Sequence, residues 1–306
     1  MEAKWINQSE INRKDWDNLV EKTENVSIYV CSFYLDATAI DWEAYVAEDF
    51  SFAIPVGVVR KGGITRVYPP LFQRYVEPIG DISKIDWEAF EKSLLKRYSK
   101  GDLHVKSAIL SSADQKTISV TKHIHQSVNQ EQYKLKTQAK RMIKRFEKTS
   151  FEIREKNIDT YLLSELIAKE LSNKLPLYGT KDVQHLFDVV KKAEENGYLY
   201  KIAVFDGETL KGGLIGLKFN GQLLYLKGTA EEALQEDGAM YALMNHFINY
   251  GLSQNCTIDF GGSRVKGIQF FNQRFSGVDV EYFNYSWDNS PPWFKLLFSL
   301  YRKIKV

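Results

Sequence analysis

LYKIAVFDGETLKGGLIGLKFNGQLLYLKGTAEEALQEDGAMYALMNHFINYGLSQNCTIDF, residues 199–260, is the stretch that carries the fold. Three extended runs, 199–206, 210–219 and 222–229, are separated by Asp206-Gly207 and Asn220-Gly221. Such pairs tolerate the positive φ of tight hairpin turns, so the spacing predicts an antiparallel meander. After a polar turn at 230–237, Ala239, Ala242, Leu243, His246, Phe247 and Tyr250 recur at helical spacing, and Gly251 stands where a left-handed C-cap is wanted. A short strand (257–260), a glycine turn, a short helix (267–275) and a last strand (278–287) complete the order.

Meander, helix, strand, helix, strand resembles the second half of a GNAT acyltransferase domain. Gln235-Glu236-Asp237-Gly238-Ala239 is similar to the family's Gln/Arg-x-x-Gly-x-Gly/Ala phosphate loop, with Met240 where that pattern ends on a small residue. The run GSRVKGIQFFNQRFSG, residues 262–277, more closely resembles the FemAB-type branch, doubled GNAT-like domains that transfer aminoacyl or acyl groups to amines. The resemblance implies an α/β fold with mixed sheets, built as two tandem GNAT-like domains. It implies an acyl- or aminoacyltransferase whose donor is acyl-CoA or an aminoacyl-tRNA. The acceptor would be an amine on a small molecule or a peptide.

The first half echoes that order. A helix is expected at 11–24, a strand at 27–33, a short helix or turn at 42–46, and a hairpin from 50–60 and 64–68 around Lys61-Gly62-Gly63. A helix beginning after Asp86 (Trp87, Phe90, Leu94, Leu95, Tyr98) and a strand at 103–110 follow. Next come a strand at 118–124 and a basic helix at 130–148, in which Lys134, Lys136, Lys140, Arg141, Lys144, Arg145 and Lys148 outweigh Glu131 and Glu147. A strand at 150–154 and helices at 159–172 and 181–196 lead into the meander. The boundary is placed near Ser150, giving an N-terminal domain, 1–149, and a C-terminal one, 150–306.

A chain of 306 residues suffices for two ordinary domains, and 44% hydrophobic with 13% aromatic residues is a globular composition. A net charge of +2 implies no global field toward nucleic acid or membrane. Cys31 and Cys256 lie in apolar runs and read as buried thiols of a reducing compartment. No run approaches the roughly 18 apolar residues of a membrane span, and a cytoplasmic protein is expected. PPWFKLLFSLYRKIKV, residues 291–306, reads as a C-terminal helix packing Trp293, Leu297 and Leu300; contact with a membrane surface is the other reading.

The resemblance marks Gln235, Gly238 and Ala239 as the turn that would hold the pyrophosphate of coenzyme A at a helix N-terminus. Asp237 as a plain N-cap is the competing reading, and Glu236 and Asp237 would repel a diphosphate. Tyr225 and Lys227 alternate on one strand, which would place both on one face, either toward the acyl carrier that the resemblance implies or out to solvent beside buried Leu224 and Leu226. Asp259, Arg264, Lys266 and Arg274 gather around the Gly261–Gly262 turn, where arginine suits a carboxylate or phosphate, or where Asp259 and Arg264 simply pair. Many GNAT acetyltransferases place a proton-donating tyrosine here, and this chain has Phe270 and Phe271. Tyr68-Pro69-Pro70 with Gln73 and Arg74 forms a stiffened loop that would line an acceptor pocket or make a plain turn. The basic helix is either a solvated face or a contact for tRNA. His123-x-His125 has the spacing of a metal pair but lacks a third ligand, so no metal is expected. A catalytically silent module that binds a ligand or partner remains the alternative to an enzyme.

Overall fold

Thirteen strands among the described residues join into one sheet that crosses the whole chain. The computed structural model describes residues 2–61, 63–107, 118–174, 180–262 and 265–290, so the helix expected at 291–306 and Arg264 lie outside it. The chain runs β1 (Ala3–Asn7), α1 (Arg13–Glu21), α2 (Ser32–Thr38), β2 (Asp41–Ala47), β3 (Phe52–Lys61), β4 (Ile64–Val67), β5 (Ile79–Gly80), α3 (Trp87–Arg97), β6 (Lys100–Val105) and β7 (Ser119–Val128). It continues with α4 (Thr137–Phe146), β8 (Glu152–Arg154), α5 (Thr160–Lys174), α6 (Thr180–Glu195), β9 (Leu199–Asp206), β10 (Thr209–Phe219) and β11 (Gln222–Ala230). Last come α7 (Glu232–Glu236), α8 (Ala239–Ser253), β12 (Thr257–Asp259), α9 (Lys266–Gln273) and β13 (Val278–Asp288).

The strand order is β1-β2-β3-β4-β6-β13-β7-β12-β11-β10-β9-β8, with β5 beside β3. Only β4 with β6 and β11 with β12 pair in parallel among these strands, one such pair in each half. Between them the halves exchange strands. β13, from the end of the chain, lies against β6, and β7 lies against β12. The two exchanged strands pair with each other from Val278–Ser127 to Ser286–Ser119. Each half's sheet is therefore completed by a strand from the other side of residue 150.

Helices cover both faces, as the side-chain pattern requires. On one face α1 and α2 (Trp16, Tyr34, Leu35) share a core with α5 and α6 (Leu163, Ile167, Leu186, Val190). On the other, α3 (Phe90, Leu94) packs on Val56, Leu103 and Trp287 of the first half. The second half carries α4 (Ala139, Ile143, Phe146) and α8 (Leu243, Phe247) on that same face. The expected meander is present, with Asn220 and Gly221 at φ 45° and 69°. Asp86 caps α3 by accepting from the Ala89 N–H, as its sequence predicts.

Several expectations are corrected. Residues 27–33 form a 3-10 turn (Ile28–Val30) and the start of α2 rather than a strand, because a short apolar run buried on all sides has no period to read. Residues 42–46 lie in β2, which is buried from Trp42 to Ala47 and so lacks the polar alternation of a half-exposed strand. Strand β1 has no counterpart in the expected elements. Helix 130–148 shortens to α4. Gly251 lies inside α8, where any side chain would strike Ile258 and Leu223, and the helix ends at Ser253.

Candidate functional site: the notch between β11 and β12

β11 and β12 run side by side for only three register pairs, ending at Leu224–Asp259. Beyond them β11 continues to Ala230, while the other chain turns away at Gly261 (φ 74°) and Gly262. Gly261 still touches β11, since a Cβ there would sit 3.0 Å from the Tyr225 carbonyl. Past that contact the near edge of β11 has no strand partner among the described residues. Backbone N–H groups on such an edge are free to bind a ligand.

The far edge of β11 stays on β10, and the register there slips. Ile215 faces Lys227 and the next residue, Gly216, faces Tyr225, so Leu226 is an extra, bulged residue. Ile215 and Gly216 point to opposite faces, and their partners do the same. This overturns the expectation that Tyr225 and Lys227 share a face. Tyr225 lies on the α8 side, edge-on to Phe247 with ring centroids 6.2 Å apart. Its hydroxyl donates to the Gly228 carbonyl at 3.5 Å, and burial pushes its pKa up to about 12. Lys227 emerges on the side of α5 and α6, half-buried and without an ion-pair or hydrogen-bond partner among the described residues. Burial lowers the pKa of its ammonium.

Below the notch Asp259 is held from three directions. Arg74 donates to both carboxylate oxygens, at 2.6 and 2.8 Å, and the Gly261 N–H donates to Oδ1 at 2.9 Å. His125 Nδ1 lies 3.5 Å from the same oxygen. Burial alone would raise the Asp259 carboxyl, but the Arg74 guanidinium and His125 hold it well below the usual carboxylate range. Arg74 also lies over the rings of Tyr75 and Tyr29, at 5.4 and 5.7 Å. Two residues singled out separately for substrate contact are thus joined to each other, at 4% and 8% side-chain exposure. Nothing near Asp259 in the sequence points to Arg74 or His125, which arrive from other strands and loops.

The first half has a matching notch, and its own chain fills it. β4 and β6 pair at Arg66–Lys100 and Val67–Gly101, then diverge. Val76 slots in beside β6, its N–H donating to the His104 carbonyl at 2.9 Å and its carbonyl accepting from Lys106 at 3.3 Å. Tyr68 borders this filled notch, and its hydroxyl accepts the Ile40 N–H at 2.6 Å.

The α8 N-terminus, where the resemblance implies a diphosphate, is packed closely against α4. Gly238 (φ 90°) caps α8, and a Cβ on it would run into the Met142 carbonyl of α4. Gln235 donates to the Ala230 carbonyl at 2.7 Å, Asp237 pairs with Arg145 at 3.1 Å, and Ala239 is buried. The two carboxylates of this turn, Glu236 and Asp237, oppose the charge of a diphosphate. Arg274 ends α9 with its guanidinium on the Tyr241 hydroxyl, and its carbonyl accepts the Lys136 N–H at 3.0 Å. Outward from α4, Lys140, Arg141 and Lys144 are exposed and have no acidic partner among the described residues. No group of metal-ligating side chains occurs among the described residues, and none of their helices is long and apolar enough to cross a membrane.

No family model and no curated protein matches the chain by sequence. Solved structures do. FemX superposes with a TM-score of 0.63 at 10% identity, over 92% of this chain and 97% of its own. A tandem GNAT protein from the clavulanic acid biosynthesis pathway superposes at 0.51 and 10% identity, over 95% and 99%. The chain has the tandem, FemAB-like GNAT fold. The same fold is shared by the C-terminal domain of a putative lysylphosphatidylglycerol synthetase from Agrobacterium fabrum, with a TM-score of 0.60, 9% identity and 94% of each chain covered. In this tandem GNAT fold the open notch belongs to the second repeat and the closed one to the first.

Proposed function

We propose that this tandem GNAT protein is an aminoacyltransferase that moves an aminoacyl group from a charged tRNA to an acceptor amine in the notch of its C-terminal half. The observation that carries the reading is the edge of β11 beyond Tyr225, which has no strand partner among the described residues. An ester carbonyl laid against that edge would have backbone N–H groups to stabilise the oxyanion that forms on attack. A diphosphate donor at the α8 turn would meet the carboxylates of Glu236 and Asp237 and a Gln235 already bonded to the Ala230 carbonyl, whereas α4 offers a polyanion the exposed charges of Lys140, Arg141 and Lys144. The name of the Agrobacterium relative, a lysylphosphatidylglycerol synthetase, supports transfer of an amino acid within this fold. We read 1–149 as the supporting domain, its notch filled by Val76, and 150–306 as the domain of the chemistry.

Transfer of labelled amino acids from a mixed pool of charged tRNAs to short peptides with free amines tests this. Product should form with charged tRNA and not with aminoacyl- or acetyl-coenzyme A. Millimolar acetyl-coenzyme A should leave the melting temperature unchanged, although a ligand at ~100 times its Kd would add about 2.7 kcal/mol. Stabilisation by the coenzyme, with no binding of tRNA, would sink the donor assignment.

A further inference from the structure

The bulge at Leu226 does more than break the alternation of β11. It sets two proton-carrying side chains, two residues apart, on opposite faces of the notch. Tyr225 faces α8, against which α4 packs, so it lies on the side from which a tRNA held by α4 would present its ester. Lys227 lies on the α5 and α6 side, and its ammonium has no counter-ion among the described residues. Between them runs the unpaired edge that would hold the reacting carbonyl. We propose that Lys227 is the general base for the attacking amine and Tyr225 the general acid for the departing oxygen, one strand serving both proton transfers. This rests on the transfer reading above.

The step balances without any further reactant. The amine nitrogen bonds to the ester carbonyl carbon and its proton passes to the neutral Nζ of Lys227. The bond from that carbon to the ribose oxygen breaks, and the oxygen takes the phenolic proton of Tyr225. Lys227 then loses its proton to solvent and Tyr225 regains one. Each residue is suited to its part. Burial disfavours charge on Lys227, which raises the fraction able to accept, and keeps the Tyr225 phenol protonated until an alkoxide develops. Phe270 and Phe271 carry no proton to give, and Tyr225 supplies the missing acid from within the sheet.

The test uses the full chain, with single-turnover transfer from charged tRNA and from a 4-nitrophenyl ester of the same amino acid. Lys227→Met keeps the aliphatic stem and Tyr225→Phe keeps the ring on Phe247, and melting curves check that both variants fold. Lys227→Met should lower the rate on both donors by about 10²–10⁴-fold, and added methylamine should restore part of it. Tyr225→Phe should lose a similar factor on tRNA but less than about threefold on the nitrophenyl ester, whose phenolate leaves without a proton. Variants within threefold of the parent on tRNA, or a Tyr225→Phe loss equal on both donors, would overturn the assignment while the transfer reading stood. A parent chain that ignores tRNA yet needs Lys227 on the small ester would refute the donor and keep the base.

Discussion

Arg74 and Asp259, 185 residues apart, form a bidentate ion pair with both side chains buried. The pair ties the loop after β4 to the end of β12, under the notch. Gly262 lies beside the Arg74 side chain, where a Cβ would come 3.2 Å from Nε. A residue of the other half thus packs against the turn that leads the chain away from β11.

Removing one partner leaves a buried charge. Arg74→Met should cost about 3–5 kcal/mol in urea unfolding, and Arg74→Met with Asp259→Leu should cost less than that single change. An additive double change would argue against the coupling.

The same pair gives stability a lower pH limit. The folded Asp259 carboxyl is depressed, so its contribution is complete above the unfolded value of about 4 and is lost as pH falls through the folded one. Melting temperature measured downward from pH 5 should therefore fall in the parent, and fall less in the Arg74→Met, Asp259→Leu double variant.

Because β7 and β13 are exchanged, neither half has a closed sheet alone. Residues 1–149 and 150–306 produced separately should each lack a cooperative thermal transition, since both would expose unpaired edges. Mixed or co-produced, they should associate and regain one. Cooperative melting of an isolated half would contradict this.

Gly238→Ala puts a methyl group against the Met142 carbonyl at a backbone angle that L side chains resist. It should destabilise the protein by about 1–3 kcal/mol in urea titration. A neutral substitution would mean that α4 is not seated on the turn.

Charge reversal on α4 tests the polyanion surface. Lys140→Glu and Lys144→Glu should each weaken tRNA binding and reduce the slope of log K against log salt by about 1 for each phosphate no longer neutralised. Melting should be unaffected, because both side chains are exposed and have no acidic partner among the described residues. An unchanged slope would remove tRNA from this face.

The amino-acid sequence by itself determined the meander, the hairpins at Gly207 and Gly221, helix α8 and the tandem GNAT order, because each is written in local period and turn chemistry. It also marked Tyr225, Lys227, Arg74 and Asp259. Only the tertiary structure decided how they meet. Alternation along β11 predicts one face for Tyr225 and Lys227, and a bulge, which depends on the register against β10, parts them. Gly238 has the look of a phosphate turn, and a carbonyl from a helix far earlier in the chain lies where a side chain at that position would go. The two notches arise from the same divergence of parallel strands, and Val76 closes one of them. Local sequence records what each residue prefers; which distant group satisfies or blocks it is settled only when the sheet assembles.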